Sequence, residues 1–340
     1  DGIRDFCLSR GLGDVYKRQD IDNLFNLSFK DDSTQSVALL KNGYLIGERY
    51  ADGFNKDSYG TSWSMAKSFY AALILISIDK GEIKSLDQKV SDYLPYFDDD
   101  RSVITIRQIL NMSSGLQYPD HQHETMFFRK DHLKYSRNVK LEKEPDTLFE
   151  YNNVNSMLLG EILQVATGKK ADILLEERIL NKIGIEKKTL WRDEAQNVLT
   201  YCCIDMSARD YAKFGHMLLL GGIWEDGEQK YQAYVQDILS LQEYGLQFWT
   251  FCADPKEEIC SQTILSTVGF DGQYIVIDPS NELVIVRASL YKAFQNLSSD
   301  RKMRLDPGDV SQSNWVGSVP NALGAAVEST FFYQDFYILS

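Results

Sequence analysis

Along its 340 residues, the hydrophobic pattern of this chain changes from strand-like to helix-like and back to strand-like. This order limits the folds that the chain can adopt. Residues 36–50 are predicted to form a β-hairpin, because two strand-like runs flank Asn42-Gly43, a strong two-residue turn signal. Further strand-like runs occupy residues 246–251, 262–267, 273–278 and 283–290. The patterns between these two groups are typical of helices, at residues 64–80, 105–112, 153–167, 171–182 and 207–220.

This order predicts an α+β fold. One antiparallel sheet is built from both chain ends, about residues 36–60 and 246–340, and is flanked by helices. An all-helical subdomain of about residues 82–245 is inserted between the two parts of the sheet. We interpret residues 1–19 as a non-native, adapter-derived leader, with a native N-terminus as the alternative, and residues 20–340 as one domain. A closing helix is predicted at residues 321–337.

Three local signals refine the helical part. Thr61 or Ser62 is expected to cap the helix of residues 64–80, and the Ser85-x-x-Gln88 pattern predicts a capping box for a short helix. Residues 117–146 are polar and weakly periodic, which predicts a long surface excursion rather than core.

Charge and cysteine content limit the partners. A net charge of −13 argues against nucleic acid and anionic membrane surfaces, and no segment is apolar over the length of a membrane span. Compartment and oligomeric state stay open. Beyond Cys7, we expect free buried thiols at Cys202, Cys203, Cys252 and Cys260, with a Cys252–Cys260 disulfide across a polar loop as the alternative.

The pair Ser64 and Lys67 is the first candidate for chemistry. An S-x-x-K spacing places both side chains on one face of a helix, where a desolvated lysine can take the proton of the serine hydroxyl. Three other S-x-x-K matches make the pattern weak alone, and a buried structural pair is the alternative. The chain has no G-x-S-x-G elbow, so the α/β-hydrolase arrangement is excluded.

Two further segments complete the candidate site. Tyr151-Asn152-Asn153 is the one Y-x-N among nineteen tyrosines, and it directly precedes an amphipathic helix, where Asn153 can alternatively serve as the helix cap. Residues 266–273 (STVGFDGQ) contain two glycines at the entry to a strand, which allow the backbone to approach a ligand. His121, His123 and Glu124 are predicted to be a solvated loop rather than a metal site.

These segments, in this order, resemble the serine β-lactamase-like and penicillin-binding superfamily. The resemblance is closest to class C β-lactamases, family VIII esterases and 6-aminohexanoate-dimer hydrolases, and it covers about residues 36–291. Beyond the three segments, it rests on residues 63–68 (WSMAKS), 106–116 (IRQILNMSSGL), 207–215 (SARDYAKFG) and 269–273 (GFDGQ).

The resemblance implies the role of each residue. Ser64 is the nucleophile that is acylated, Lys67 its base, Tyr151 the hydroxyl that relays a proton to the leaving group, and Asn153 a ligand for the substrate carbonyl or for Lys67. The Ser64 amide forms half of the oxyanion hole. The substrate-binding and oxyanion residues are Thr267, Gly269, Phe270 and Gln273, although Gln273 and Asp271 are equally compatible with a role in the turn.

The third segment departs from the pattern of these families. β-Lactamases and D-Ala-D-Ala peptidases usually have Lys or His where this chain has Thr267 or Ser266. The missing cation puts β-lactam and peptidoglycan substrates in doubt and favours esters or small amides, unless Arg287 or a residue of 117–146 restores the charge. The prediction is a serine hydrolase with no cofactor and no metal. A penicillin-binding D-Ala-D-Ala peptidase, a β-lactamase and a non-turnover sensor of the same fold are the alternatives.

Overall fold

A computed structural model describes residues 4–5, 18–222, 238, 243–253, 260–270 and 272–290. Within these residues the strands are Arg4–Asp5 (β1), Thr34–Lys41 (β2), Tyr44–Tyr50 (β3), Tyr59–Thr61 (β4), Thr189–Leu190 (β5), Ile204–Ser207 (β6), Glu243–Gly245 (β7), Phe248–Cys252 (β8), Thr263–Gly269 (β9), Gln273–Asp278 (β10) and Leu283–Ser289 (β11). The α-helices are Arg18–Ser28 (α1), Ala66–Asp79 (α2), Ile106–Leu110 (α3), Gln122–Phe127 (α4), His132–Arg137 (α5), Asn153–Thr167 (α6), Ala171–Leu175 (α7) and Ala208–Leu219 (α8).

The main sheet joins the two ends of the pattern. Its strand order is β1-β3-β2-β11-β10-β9-β8-β7, and every neighbouring pair except β1–β3 is antiparallel. β11 lies beside β2, so the late strands continue the sheet that the first hairpin begins. The turn of that hairpin has left-handed backbone at Asn42 (φ 52°) and Gly43 (φ 77°), as its sequence predicts. The α+β, antiparallel fold is confirmed.

A second, three-stranded sheet of order β4-β6-β5 modifies this picture. β4 belongs to it rather than to the main sheet. Because β5 and β6 lie within residues 82–245, the inserted segment is not all-helical. Of residues 1–19, β1 pairs with β3 and α1 begins at Arg18. The bounds of the domain and the origin of the leader remain predictions, and the closing helix at 321–337 lies outside the described residues.

α2 is the centre of the core. All but its last two residues are buried, because the helix is apolar around its whole circumference and is packed on several sides. Its Phe69 ring stacks on Phe214 of α8 with centroids 3.5 Å apart. α8 lies against the sheet so closely that a side chain at Gly215 would collide with Val284 and Ile275. The Ser64 end of α2 is thereby fixed relative to the sheet.

Two of the local predictions are wrong. A 3₁₀ turn, Trp63–Met65, precedes α2, and Ser62 gives it no side-chain cap; the Ser62 hydroxyl instead accepts a hydrogen bond from Ile204 N (2.8 Å). The Ser85 pattern forms no capping box, since the Gln88 side chain accepts from Lys84 N (2.8 Å) and the next helical turn is 3₁₀. At Ser62 a tertiary bond outweighs the local capping preference, and at Gln88 a different local bond does.

Residues 117–146 also differ from the prediction. They form α4 and α5, and Gln122, Met126, His132 and Ser136 are buried, so part of this segment belongs to the core. Polar side chains can be buried here because they form hydrogen bonds inside the protein. The Ser136 hydroxyl, for example, donates to the carbonyl oxygen of His132 (2.8 Å).

The cysteine prediction is corrected as well. Cys252 and Cys260 are paired as a disulfide, which was the alternative. The sulfur atoms of the buried neighbours Cys202 and Cys203 are in contact. In the part of the chain that the structure describes, no helix is long and apolar enough to cross a bilayer.

Candidate active site

Ser64 and Lys67 meet at the start of α2. The Lys67 Nζ lies 2.9 Å from the Ser64 Oγ and donates a hydrogen bond to the carbonyl oxygen of Tyr201 (2.8 Å). The lysine side chain is 1% exposed, whereas Ser64 is half-buried. Burial holds the pKa of Lys67 well below its usual range, because desolvation penalises the ammonium form. An amine whose neutral form is favoured by burial therefore lies beside an accessible hydroxyl.

The backbone around Ser64 is held from both sides. Trp63 has left-handed backbone (φ 44°), which is costly for a bulky residue and is found where the surroundings fix the chain. Its carbonyl accepts from Cys203 N (3.2 Å), and Ser62 N donates to Ile204 O (2.8 Å), so the β6 segment holds the turn. The turn places the Ser64 amide at the N-terminal end of α2, where backbone N–H groups lack helical acceptors and favour negative charge.

Tyr151 lies across from this pair. Its ring centroid is 4.9 Å from the Lys67 Nζ, and its backbone carbonyl is 2.9 Å from the Nε2 of His123. Burial raises the pKa of the Tyr151 phenol, and a polar contact with the Ser64 side chain acts in the opposite direction. Tyr151 is thus a neutral phenol at neutral pH, a form that can donate a proton.

The two asparagines after Tyr151 have different roles. Asn152, not Asn153, caps α6, since its Oδ1 accepts a hydrogen bond from Val154 N (2.9 Å); the capping alternative for Asn153 is wrong. Asn153 is the first residue of the helix and is 8% exposed. Its Oδ1 is buried and has no hydrogen-bond partner among the described residues. An unused buried acceptor is costly unless a ligand or a proton donor reaches it.

The end of β9 approaches the Ser64 turn. A Cβ on Gly269 would overlap the carbonyl oxygen of Ser62, so only glycine allows this contact. β8 pairs with β9 as far as Ser266, which leaves the backbone of Thr267 and Gly269 without a partner from that strand. The next residue, Phe270, is half-buried and packs edge-on against Trp63 (5.9 Å between centroids). An open strand edge beside the nucleophile is suited to bind an oxyanion.

The proposed substrate contacts differ in their surroundings. Thr267 is fully buried, and its Oγ1 has no hydrogen-bond partner in the described part of the chain. Gln273 is also fully buried, but its side-chain amide forms two hydrogen bonds with the backbone of Ser289. Its Nε2 donates to the Ser289 carbonyl oxygen (2.8 Å), and its Oε1 accepts from the Ser289 N–H (3.0 Å). This pairing fits the structural alternative for Gln273 better than a contact with substrate.

Arg287 does not restore the missing cation. Its guanidinium donates to Gly272 O (2.8 Å) and Thr34 Oγ1 (2.9 Å), and it pairs with Asp31 (2.9 Å). Among the described residues, Lys67 is the cation that contacts Ser64, whereas Arg287 is engaged elsewhere. No group of three or more metal-ligating side chains is found among the same residues.

Sequence reasoning missed His123. The prediction of a solvated loop is wrong for it, because it is half-buried in α4, with Nε2 3.3 Å from the Tyr118 hydroxyl and 2.9 Å from the Tyr151 carbonyl. Burial lowers the pKa of His123 to about 4. A neutral imidazole thus supports the backbone of Tyr151. No local signal identifies it, since the contact joins residues 28 positions apart.

Comparison with known proteins identifies the family of the chain. The family model described as Beta-lactamase matches residues 33–292. The chain belongs to the β-lactamase family. It is 26% identical to penicillin-binding protein 4 of Amycolatopsis lactamdurans, over 58% of this chain and 60% of that protein. It is 23% identical to the 6-aminohexanoate-dimer hydrolase of Paenarthrobacter ureafaciens, over 75% of this chain and 72% of that protein.

Solved structures of the family share the fold. A family VIII carboxylesterase superposes with a TM-score of 0.65 at 16% identity and covers 80% of this chain and 90% of its own. The chain spans less than two thirds of the length of penicillin-binding protein 4. The resemblance seen in the sequence is thus confirmed at the level of family and fold.

Proposed function

We propose that this protein is a serine hydrolase that cleaves neutral esters or small amides through an acyl-enzyme on Ser64. The observation that carries the proposal is the 2.9 Å contact between the Ser64 hydroxyl and the Lys67 amine, whose pKa is lowered by burial. A nucleophilic serine needs a neutral base within hydrogen-bond distance, and this contact supplies one.

The first half-reaction follows from the positions of three groups. As the Ser64 Oγ attacks the substrate carbonyl carbon, its proton passes to the Lys67 Nζ. The negative charge that develops on the carbonyl oxygen is stabilised by the Ser64 N–H and by an N–H at Gly269 or Phe270. Tyr151 then gives its phenolic proton to the leaving oxygen or nitrogen, and the carbon–leaving-atom bond breaks.

The remaining groups return the site to its starting state. The Lys67 ammonium gives its extra proton back to the Tyr151 oxygen, so that the base and the relay are both neutral again. While Lys67 is protonated, the buried Oδ1 of Asn153 is available to accept one of its N–H groups or to hold the substrate. Water attacks the acyl-enzyme in the second half-reaction, and the same groups move the proton in the opposite direction.

Among the described residues, Lys67 is the cation in contact with Ser64, and this favours neutral substrates. Thr267 stands where related β-lactamases and peptidases use a cation, and Arg287 is engaged with Asp31 and Gly272. A carboxylate would therefore lose a charge-assisted hydrogen bond worth about 1.5–3 kcal/mol. The relatives that are named a 6-aminohexanoate-dimer hydrolase and a carboxylesterase agree with amide and ester substrates.

Intact-mass analysis of the protein and of Ser64→Ala, each exposed to a fluorophosphonate, tests the nucleophile. We expect one adduct on the native chain and none on Ser64→Ala, and we expect turnover of a p-nitrophenyl ester to require Ser64. Circular dichroism of the variant controls for folding. Labelling or turnover that survives in a folded Ser64→Ala variant would rule the mechanism out.

A penicillin-binding peptidase or sensor is the second candidate function, because one relative is a penicillin-binding protein. The same mass measurement with a penicillin separates the two. We expect neither a lasting penicillin adduct nor penicillin hydrolysis. A stable, Ser64-dependent adduct would instead support the penicillin-binding function, and steady hydrolysis a β-lactamase.

A further inference from the structure

Four aromatic rings form a continuous surface beside Ser64. We call the set of Phe149, Tyr151, Tyr244 and Trp249 the aromatic wall. The Tyr244 ring lies 4.8 Å from Trp249, 5.1 Å from Phe149 and 6.0 Å from Tyr151, measured between centroids. Trp249 lies 6.0 Å from Tyr151. Tyr151 is therefore one edge of a larger aromatic surface.

The wall is partly open to solvent. Phe149 is 47% exposed, and Tyr151, Tyr244 and Trp249 are half-buried. When a ligand covers an aromatic side chain that is exposed to this extent, the burial of apolar surface contributes favourably to binding. The hydroxyl of Tyr244 is buried and has no hydrogen-bond partner among the described residues, so it is available to a polar atom of such a ligand.

The backbone that carries the wall is held at a cost. β7 and β8 are joined by Leu246 and Gln247, which both have left-handed backbone (φ 49° and 65°) although neither is glycine. Such a conformation costs of order 1–3 kcal/mol per residue and persists only where the surroundings fix it. Here Gln247 donates its N–H to Leu110 O (3.0 Å), accepts from Ser68 Oγ at its carbonyl (2.7 Å) and accepts from Ser156 Oγ at its side chain (2.9 Å).

These bonds connect the hairpin to the catalytic helices. Ser68 directly follows Lys67, and Ser156 lies one turn along α6 from Asn153. The strained turn therefore fixes Tyr244 and Trp249 relative to the reacting groups. Maintaining a strained turn for this purpose is expected where the position of the side chains matters for function.

We propose that the aromatic wall is the leaving-group subsite and that it binds a flat, preferably aromatic alcohol or amine. The proposal rests on the proposed function, because Tyr151 identifies the side of the site on which the leaving atom receives its proton. A leaving group bonded to that atom lies next to the Tyr151 ring, and Phe149, Tyr244 and Trp249 extend the apolar surface from there.

The test compares esters that share an acetyl group and differ in the alcohol, benzyl against ethyl, whose alkoxides are of similar basicity. The native protein is expected to prefer the benzyl ester in kcat/KM, and Trp249→Ala to reduce this preference about tenfold, the loss typical of one aromatic contact and its buried area. Phe149→Ala, at an exposed position that tolerates truncation, is expected to reduce it about threefold. Tyr274→Ala removes a half-buried aromatic ring that packs against a separate hydrophobic cluster, which includes Val37 and Ile285, and should leave the preference unchanged.

The outcomes distinguish the subsite from the proposed function. Loss of the benzyl preference in both wall variants, with hydrolysis still dependent on Ser64, supports the subsite. An unchanged preference in folded Trp249→Ala and Phe149→Ala overturns the subsite alone. A change in selectivity between acetate and butyrate ethyl esters, with the benzyl preference intact, also overturns it, because the wall would then serve the acyl group. Absence of Ser64-dependent turnover of every ester overturns the proposed function and the subsite with it.

Discussion

Lys67 shows how burial alone can prepare a residue for chemistry. Its amine has no carboxylate partner among its hydrogen bonds, which go to a hydroxyl and a backbone carbonyl. Neither partner compensates a full positive charge as a carboxylate would, so the neutral form is favoured. The same burial would make an acylated site hard for bulk water to enter except through the Ser64 side.

The pH dependence of the reaction should report this shift. The neutral base is active, so kcat/KM should rise as pH increases through the lowered pKa of Lys67 and level off below the range of an ordinary lysine, about 10.4. The pH–rate profile of acetate ester hydrolysis measures it. The pKa of His123 is about 4, so its titration should not affect the pH–rate profile near neutral pH. An activity that keeps rising to the pKa of a free lysine, or stays flat, would contradict this assignment.

At the scale of secondary structure, the site depends on one contact between β9 and the Trp63–Met65 turn. Gly269→Ala would drive its Cβ into the Ser62 carbonyl and displace both parts of the proposed oxyanion hole. We expect kcat/KM to fall about 100-fold, as when an oxyanion donor is lost, and the free energy of unfolding to fall by about 1–3 kcal/mol. Ester kinetics and denaturant unfolding measure the two effects.

Gly168→Ala is the matched control for this variant. Gly168 ends α6 in left-handed backbone (φ 74°) with no heavy atom within 4 Å of the added Cβ among the described residues. Alanine there should cost about 1 kcal/mol of stability without changing the kinetics below the unfolding transition. If both variants lose activity equally, the loss reflects stability, and the proposed role of the Gly269 contact is wrong.

Two hairpins show what the sequence can and cannot predict. The turn at Asn42-Gly43 can be predicted from its own two residues, because Asn and Gly adopt left-handed backbone at little cost in free energy. The turn at Leu246 and Gln247 has no such signal, because bonds from Ser68 and Ser156, far away in the chain, hold it. Ser64 with Lys67, and Tyr151 with Asn153, could be predicted as candidates because each pair lies within one short motif. The wall and His123 were not, because each depends on contacts between distant segments.

For the whole molecule, the excess of negative charge should act on substrate choice. A net charge of −13 repels anions, and Lys67 contributes little opposing charge at the site. We expect kcat/KM for an anionic ester, such as a benzyl succinate monoester, to rise about two- to fivefold between about 0.05 M and about 0.5 M NaCl, because salt screens the repulsion. Neutral benzyl acetate is the control and should change little. A fall in the rate for the anionic ester would indicate a cationic substrate site and would contradict the neutral-substrate proposal.

The position of β11 between β2 and β10 affects how this protein can fold during its synthesis on the ribosome. A ribosome releases β2 about 240 residues before β11, which at 5–20 residues per second is a delay of roughly 12–50 s. Until then one edge of β2 has no strand beside it, and such an edge can pair with another nascent chain. Ser64 is thus synthesised early, but the sheet against which it is positioned is completed only when β11 has been synthesised.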